Sequence, residues 1–200
     1  MKRDFLLVGV GGQGTILASD IVAEVGLLAG YDAKKSEIHG MSQRGGSVDS
    51  HVRWGARVYS PLAAKGGVDY LVAFELLEAA RWAPHLAPGG VAIVNRHRIP
   101  PLAVTRAEAR YPTEEEVLAR FAALDCQALV IEGTQLATEL GNPAAAGIVL
   151  IGVLSTLLDV DAGDWLAVIA RRVPPRFLYL NRRAFNAGRE HVGVMSRESP

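Results

Sequence analysis

The chain has 200 residues, 50% of them hydrophobic, and its 21 basic side chains balance its 21 acidic ones. A chain of this length can bury a core without disulfides or metals, and balanced charge gives no electrostatic reason to bind nucleic acid or an anionic membrane. One cysteine, Cys126, excludes an internal disulfide framework and a four-thiolate iron–sulfur cluster. We therefore expect a cytoplasmic protein with one domain over residues 1–200 and no nucleic-acid or membrane partner.

The first predicted elements are a buried strand at residues 5–10, a glycine-rich turn, and a helix at residues 15–29. Further short apolar runs predict buried strands, and the segments between them have helical spacing. The strands are expected at residues 68–74, 91–94 and 128–131, and the helices at 75–82 and 114–124. Strands that alternate with helices predict a Rossmann-like, doubly wound α/β fold with a mostly parallel sheet.

Two stretches between these elements alternate polar and apolar residues, at 47–54 and 57–60, with a Gly-Ala pair between them. This pattern predicts a β-hairpin inserted into the α/β fold. On the first of the two strands, Asp49, His51 and Arg53 share one face. We interpret that face as solvated.

The last third of the chain, from Asn142 onward, is predicted to be helical with no strand. Asn142 before Pro143 is an N-cap ahead of a proline, and Thr113 with Glu116 forms a capping-box pattern. The segment 143–158 is apolar nearly all round, so it must be buried in the core or against another chain. We therefore expect the chain to form a large apolar interface, in a homodimer when alone or with another subunit.

The turn after the first strand reads G-V-G-G-Q-G and satisfies G-x-G-x-x-G between a strand and a helix. Backbone amides at such a helix N-terminus can hold a phosphate, while glycine is also needed there for steric reasons alone. The candidate cofactor-binding residues are Gly11, Gly12, Gln13 and Gly14. A dinucleotide would further need an acid at the tip of the second strand, and Asp32 and Glu37 match that position approximately.

Residues 36–54 read S-E-I-H-G-M-S-Q-R-G-G-S-V-D-S-H-V-R-W, a polar segment with little side-chain bulk that begins and ends like a strand. Its glycines permit close backbone approach and its arginine suits phosphate or carboxylate. The candidate ligand contacts are His39, Gly40, Ser42, Arg44, Gly45 and Gly46. A contact with another subunit is the alternative role. We assign no catalytic residue and no metal ligand.

Four motifs occur in order along the chain: V-G-V-G-G-Q-G-T, then the H-G-M-S-Q-R-G-G of the polar segment, V-Y-S-P-L, and D-Y-L-V-A-F-E-L-L-E-A. Together they resemble the gamma subunits or domains of 2-oxoacid:ferredoxin oxidoreductases, and the second motif is similar to the small (beta) subunits of the indolepyruvate branch. The resemblance extends over residues 6–158.

What the resemblance implies is an assembly that oxidatively decarboxylates aryl pyruvates with coenzyme A, giving aryl-acetyl-CoA, CO2 and reduced ferredoxin. It implies that thiamine diphosphate, magnesium and the iron–sulfur clusters belong to a large partner subunit, that ferredoxin is reached through the complex, and that this chain is inactive alone. Coenzyme A is the ligand expected to contact this chain. Two other hypotheses remain: a stand-alone Rossmann-like nucleotide- or flavin-binding protein, and a structural subunit with an empty glycine loop.

Overall fold

The computed structural model describes residues 2–39, 46–106 and 109–198, with side chains described except at residues 39, 102–103 and 192–198. The predicted contacts Gly40, Ser42, Arg44 and Gly45, and the side chain of His39, lie outside the described residues.

A six-stranded mixed sheet forms the centre of the fold, in the order β2-β3-β1-β4-β5-β6. Its strands are β1 Arg3–Val10, β2 Asp32–His39, β3 Ser47–Gly55, β4 Val68–Ala73, β5 Leu86–Asn95 and β6 Gln127–Ile131. Strands β1, β4, β5 and β6 are parallel neighbours, while β3 is antiparallel to both β1 and β2. The predicted α/β fold with a mostly parallel sheet is confirmed.

The helices cover both faces of the sheet. They are α1 Thr15–Leu28, α2 Leu76–Trp82, α3 Leu102–Thr105, α4 Glu114–Ala122, α5 Gly133–Glu139, α6 Ala146–Ser155, α7 Ala162–Arg172 and α8 Leu178–Glu198. The predicted capping box of Thr113 and Glu116 starts α4, and Asn142 caps a 3₁₀ turn, Pro143–Ala145, that leads into α6. The helical C-terminal third is confirmed.

The inserted hairpin exists, but one of its strands is not where the alternation placed it. Strand β3 pairs along its length with β2, from Asp32 opposite Gly55 to His39 opposite Val48. Residues 57–60 form no strand. The placement was wrong because local alternation does not reveal which strand will pair with β3. Strand β2 pairs with it over eight residues, which is more than residues 57–60 could supply.

Successive side chains of the strands point to opposite faces, which separates the core into two clusters. In β1, Phe5 and Leu7 belong to a cluster shared with α1 and α6 to α8, and Leu6 and Val8 belong to one shared with α2 and α4. We call these the α6 face and the α2 face. None of the helices described is both long and apolar enough to cross a membrane.

Helix α6 is buried over its whole length within the chain itself. Helix α8 lies so close to it that a Cβ on Gly188 would come within 2.0 Å of the Val149 carbonyl oxygen, and one on Gly152 within 2.2 Å of the Phe185 carbonyl oxygen. Because α8 and the sheet already cover this segment, its apolarity is no evidence for an interface with another chain, and the large apolar interface stays a prediction.

Candidate functional site

The glycine loop joins the carboxyl end of β1 to α1. Gly12 and Gly14 have φ values of 100° and 85°, a left-handed conformation that glycine adopts without strain. The Gln13 side chain is used inside the protein: its Oε1 accepts from the Val10 N–H at 2.7 Å, and its Nε2 donates to the Phe74 carbonyl oxygen at 3.0 Å. Gln13 therefore ties the carboxyl ends of β1 and β4 together, and its amide is committed to that bridge.

The start of α1 has the properties of an anion-binding helix terminus. Gly14 provides no side-chain cap, and the first turn carries no acidic residue. The first N–H groups of a helix have no carbonyl partner within it, and the helix dipole favours negative charge at this end. The hydroxyl of Thr15 is buried and makes no hydrogen bond within the protein. These groups fit a phosphate.

The polar segment returns to the glycine loop at its carboxyl end. The Gly11 N–H donates to the Gly46 carbonyl oxygen at 3.0 Å, and Ser47 at the start of β3 lies opposite Val10 at the end of β1. Of the predicted contacts in this segment, Gly46 is thus brought beside Gly11 to Gly14. Nearer the other end of the segment, the backbone of His39 lies opposite Val48, which in turn lies opposite Gly9. Strand β2 therefore ends at the same end of the sheet as the glycine loop.

Glu78, which we did not predict, fixes the position of Ser47. The Ser47 hydroxyl donates to Glu78 Oε2 at 2.5 Å, and the same carboxylate accepts from Arg81 at 2.6 Å and from the Trp82 indole at 3.3 Å. Glu78 is buried on the α2 face. Its signal in the sequence is the D-Y-L-V-A-F-E-L-L-E-A motif, which contains it.

Glu75 is a second buried carboxylate at the carboxyl end of β4. It caps α2 by accepting from the Glu78 N–H at 2.9 Å, and it also accepts from the Ile99 N–H at 3.1 Å and from the Tyr111 hydroxyl. Burial raises the pKa of Glu75, against the effect of its backbone donors. The carboxylate thus holds Ile99 and Tyr111 at the carboxyl end of β4, next to the Phe74 carbonyl oxygen that Gln13 contacts.

The row of Asp49, His51 and Arg53 is buried or half-buried, so its interpretation as a solvated face was wrong. Residues that follow β3 fold back over it: the Ala63 N–H donates to His51 Nδ1 at 3.3 Å. Arg53 Nε donates to the buried Asp4 carboxylate at 2.8 Å. Alternation alone could not reveal a covering segment.

The acid predicted for a dinucleotide ribose is not at the glycine loop. Asp32 begins β2, so it lies at the amino end of β1, whereas the glycine loop follows the carboxyl end. The Asp32 carboxylate accepts from the Val58 N–H at 2.7 Å and from Lys34 at 3.1 Å. Strand β3 also separates β2 from β1. Within residues 2–39, 46–106 and 109–198, no group of three or more His, Cys, Asp or Glu side chains could hold a metal ion.

Comparison with known proteins decides the family. The family model described as pyruvate ferredoxin/flavodoxin oxidoreductase matches residues 4–191. The chain belongs to this family. It is 36% identical over 197 residues to the indolepyruvate oxidoreductase subunits IorB of Thermococcus kodakarensis and Pyrococcus horikoshii, covering 94% of this chain and of each relative.

The fold agrees with that assignment. The chain superposes on the gamma subunit of a keto/oxoacid ferredoxin oxidoreductase from Geobacter sulfurreducens with a TM-score of 0.72 and 26% identity, covering 96% of this chain and 99% of that one. The resemblance to small subunits of the indolepyruvate branch is confirmed, and nothing in the comparisons favours a stand-alone nucleotide- or flavin-binding protein.

Proposed function

We propose that this family member works as the small subunit of a cytoplasmic indolepyruvate:ferredoxin oxidoreductase, in a complex that converts aryl pyruvates and coenzyme A to aryl-acetyl-CoA, CO2 and reduced ferredoxin. The large partner subunit carries thiamine diphosphate, magnesium and the iron–sulfur clusters, and ferredoxin binds the complex. The IorB relatives support the substrate class through their name. The single Cys126 supports the placement of the clusters on the partner.

Within that complex, the glycine loop and residues 36–54 form a rim that contacts coenzyme A and the large subunit's active site. The observation that carries this proposal is the contact between the two segments: the Gly11 N–H donates to the Gly46 carbonyl oxygen at 3.0 Å.

 This backbone hydrogen bond joins the glycine loop, which leads into the start of α1 and the Thr15 hydroxyl, to the segment whose predicted contacts include Arg44. Phosphate groups of coenzyme A match these donors.

The test uses the complex reconstituted from this chain and its large subunit. Arg44→Ala removes the charged donor, and Thr15→Val removes the unpartnered hydroxyl with little change of shape. A hydrogen bond to a charged group contributes about 1.5 to 3 kcal/mol, so we expect the Michaelis constant for coenzyme A to rise about tenfold to a hundredfold in Arg44→Ala. Arg176→Ala, at an exposed arginine before α8, is the matched control.

Three results would contradict the proposal. One is reduction of ferredoxin or a viologen by the isolated chain supplied with 2-oxoacid and coenzyme A. The second is a purified chain that carries visible flavin absorbance and copurifies with no thiamine-dependent iron–sulfur protein. The third is an Arg44→Ala complex with wild-type subunit affinity and an unchanged Michaelis constant for coenzyme A, which would remove the rim from both of its roles.

A further inference from the structure

Residues 56–62, which we call the Tyr59 loop, follow β3 at the amino end of β1 and form no regular secondary structure. Side chains of the sheet nevertheless fix their backbone. The Asp32 carboxylate accepts from the Val58 N–H at 2.7 Å. Arg53 Nη1 donates to two carbonyl oxygens of the loop, at 3.0 and 3.1 Å. The loop is therefore held in one conformation by the protein itself.

Held in this way, the loop presents large side chains to solvent. Tyr59 is 81% exposed and Leu62 is 46% exposed. The Arg57 guanidinium lies 4.9 Å from the centroid of the Tyr59 ring. Tyrosine and arginine are enriched among the residues that dominate binding energy at protein interfaces, and a backbone that is already ordered loses little entropy on binding.

A cavity of about 440 Å³ lies beside the loop. Its lining includes the ring of Tyr59 and three basic side chains, Lys2, Arg53 and Arg57, but one acid, Asp4. Asp4 is already paired with Arg53 and with Lys2, each at 2.8 Å. The basic excess leaves the cavity suited to a carboxylate that enters from outside.

We propose that the Tyr59 loop and this cavity are a docking surface for the large subunit, which covers Tyr59 and places an Asp or Glu side chain beside Arg57. The proposal takes the existence of that subunit from the proposed function. It concerns a different surface, because the Tyr59 loop lies at the amino end of β1 and the glycine loop lies at its carboxyl end. The basic lining provides the charge complementarity that selects an acidic partner surface.

The chain offers a matched control for this test. Tyr179 in α8 is 74% exposed, and the Arg183 guanidinium lies 5.7 Å from the centroid of its ring, so it repeats the exposed pair of Tyr59 and Arg57 elsewhere. Affinity for the purified large subunit is measured for Tyr59→Ala and Arg57→Glu, and for Tyr179→Ala and Arg183→Glu. Thermal unfolding of each variant alone reports whether it is folded.

We expect Tyr59→Ala to weaken subunit binding about 30-fold, as the loss of a dominant interface residue does. Arg57→Glu should weaken it about tenfold and more at low salt than at high salt, because it repels the acidic side chain. The two α8 variants should remain within about twofold of the wild type, as surface substitutions outside an interface do.

Wild-type affinity in both folded variants of the Tyr59 loop would overturn the inference while leaving the proposed function intact. Equal losses in the α8 variants would also overturn it. A wild-type chain that fails to bind the large subunit would contradict the proposed function and the inference together. If the chain dimerises alone and Tyr59→Ala makes it monomeric, a second copy occupies the surface and the large subunit does not.

Discussion

The two faces of the sheet are packed with different chemistry. On the α6 face, the buried side chains are mostly aliphatic and aromatic. The ring centroid of Trp165 lies 6.5 Å from that of Trp54 and 6.3 Å from that of Phe185. On the α2 face, the apolar cluster is bordered by buried charged groups. These are Asp4, Asp49, Glu75 and Glu78.

The difference follows from what each face must hold in place. Helices satisfy their own backbone hydrogen bonds, so a face covered by helices needs shape complementarity. Irregular segments leave N–H and C=O groups that must find partners when they are covered. The α2 face holds the Tyr59 loop, the end of the polar segment, Ile99 and Tyr111, and its charged side chains supply those partners. The α6 face therefore mainly stabilises the fold, and the α2 face mainly positions segments.

The largest expected effect belongs to the α6 face. Gly188→Ala would place a Cβ 2.0 Å from the Val149 carbonyl oxygen, so α8 must move away from α6. We expect the free energy of unfolding to fall by about 3 kcal/mol, the upper range for overpacking. Chemical denaturation measures the loss. Asn186→Ala, at an exposed position of the same helix, is the control, and equal stability of the two variants would refute the tight contact.

On the α2 face, Arg53→Met tests whether charge positions the covering segment. The change leaves Asp4 with the exposed Lys2 as its remaining ion pair and removes the donor to the Tyr59 loop. We expect a loss of about 2 kcal/mol, because a buried charge and two carbonyl oxygens lose a partner. The double variant with Asp4→Asn should recover part of it. A double variant as unstable as the sum of the single changes would show that the pair is not coupled.

Local patterns predicted the parts of the fold whose partners are close in sequence. The apolar runs that became β1 and most of β4 and β5 are buried on both faces, which makes them continuous in the sequence. The short apolar run of β6 is half-buried at the edge of the sheet. The capping box of α4 and the glycine loop are likewise contained in a few residues. The error at residues 57–60 has the opposite cause, since the Val58 N–H goes to Asp32, 26 residues away.

In the candidate site, too, the sequence predicted the features that a few neighbouring residues determine and missed those that depend on distant residues. The glycine motif predicted Gly11 to Gly14 correctly as the join of β1 and α1, but the use of the Gln13 amide depends on Phe74, 61 residues away. The contact of Ser47 with Glu78 spans 31 residues and has no local pattern. The roles of Arg44 and its neighbours stay predictions, because they lie outside the described residues.

A smaller effect is expected from the tether at the start of β3. Ser47→Ala removes the hydroxyl that donates to Glu78, whose carboxylate keeps Arg81 and Trp82 as partners. We expect a loss of about 1 kcal/mol in the free energy of unfolding, the usual contribution of one hydrogen bond. In the reconstituted complex, the Michaelis constant for coenzyme A should rise while kcat changes less. Thr138→Ala, at an exposed position of α5, is the control, and an unchanged Michaelis constant in Ser47→Ala would separate Ser47 from the rim.

The smallest expected effect is a pH dependence of the free energy of unfolding, which arises from Glu75 on the α2 face and has no counterpart in the apolar packing of the α6 face. Burial raises the pKa of Glu75 above its ordinary value of 4.5, so in the pH range just above that value the folded state binds more protons than the unfolded state. The contribution of Glu75 to stability is therefore fully present below its unfolded pKa and is lost as pH rises through its folded pKa. Glu75→Gln removes this titration.

The measurement compares the free energy of unfolding of the wild type and Glu75→Gln between about pH 4 and pH 8, the range in which acids with raised pKa values titrate. The stability advantage of the wild type should narrow as pH rises, because the ionised carboxylate is less favourable in its buried position. The difference in free energy of unfolding between the two proteins cancels the contributions of other titrating groups. One of these is Asp32, which acts in the opposite direction because the Val58 N–H and Lys34 lower its pKa. Glu190→Gln, at an exposed position of α8, is the matched control. If the difference in free energy of unfolding between the wild type and Glu75→Gln stays constant or widens as pH rises, the backbone donors to Glu75 outweigh the effect of burial. The ionised carboxylate would then be at least as favourable on the α2 face as in solvent.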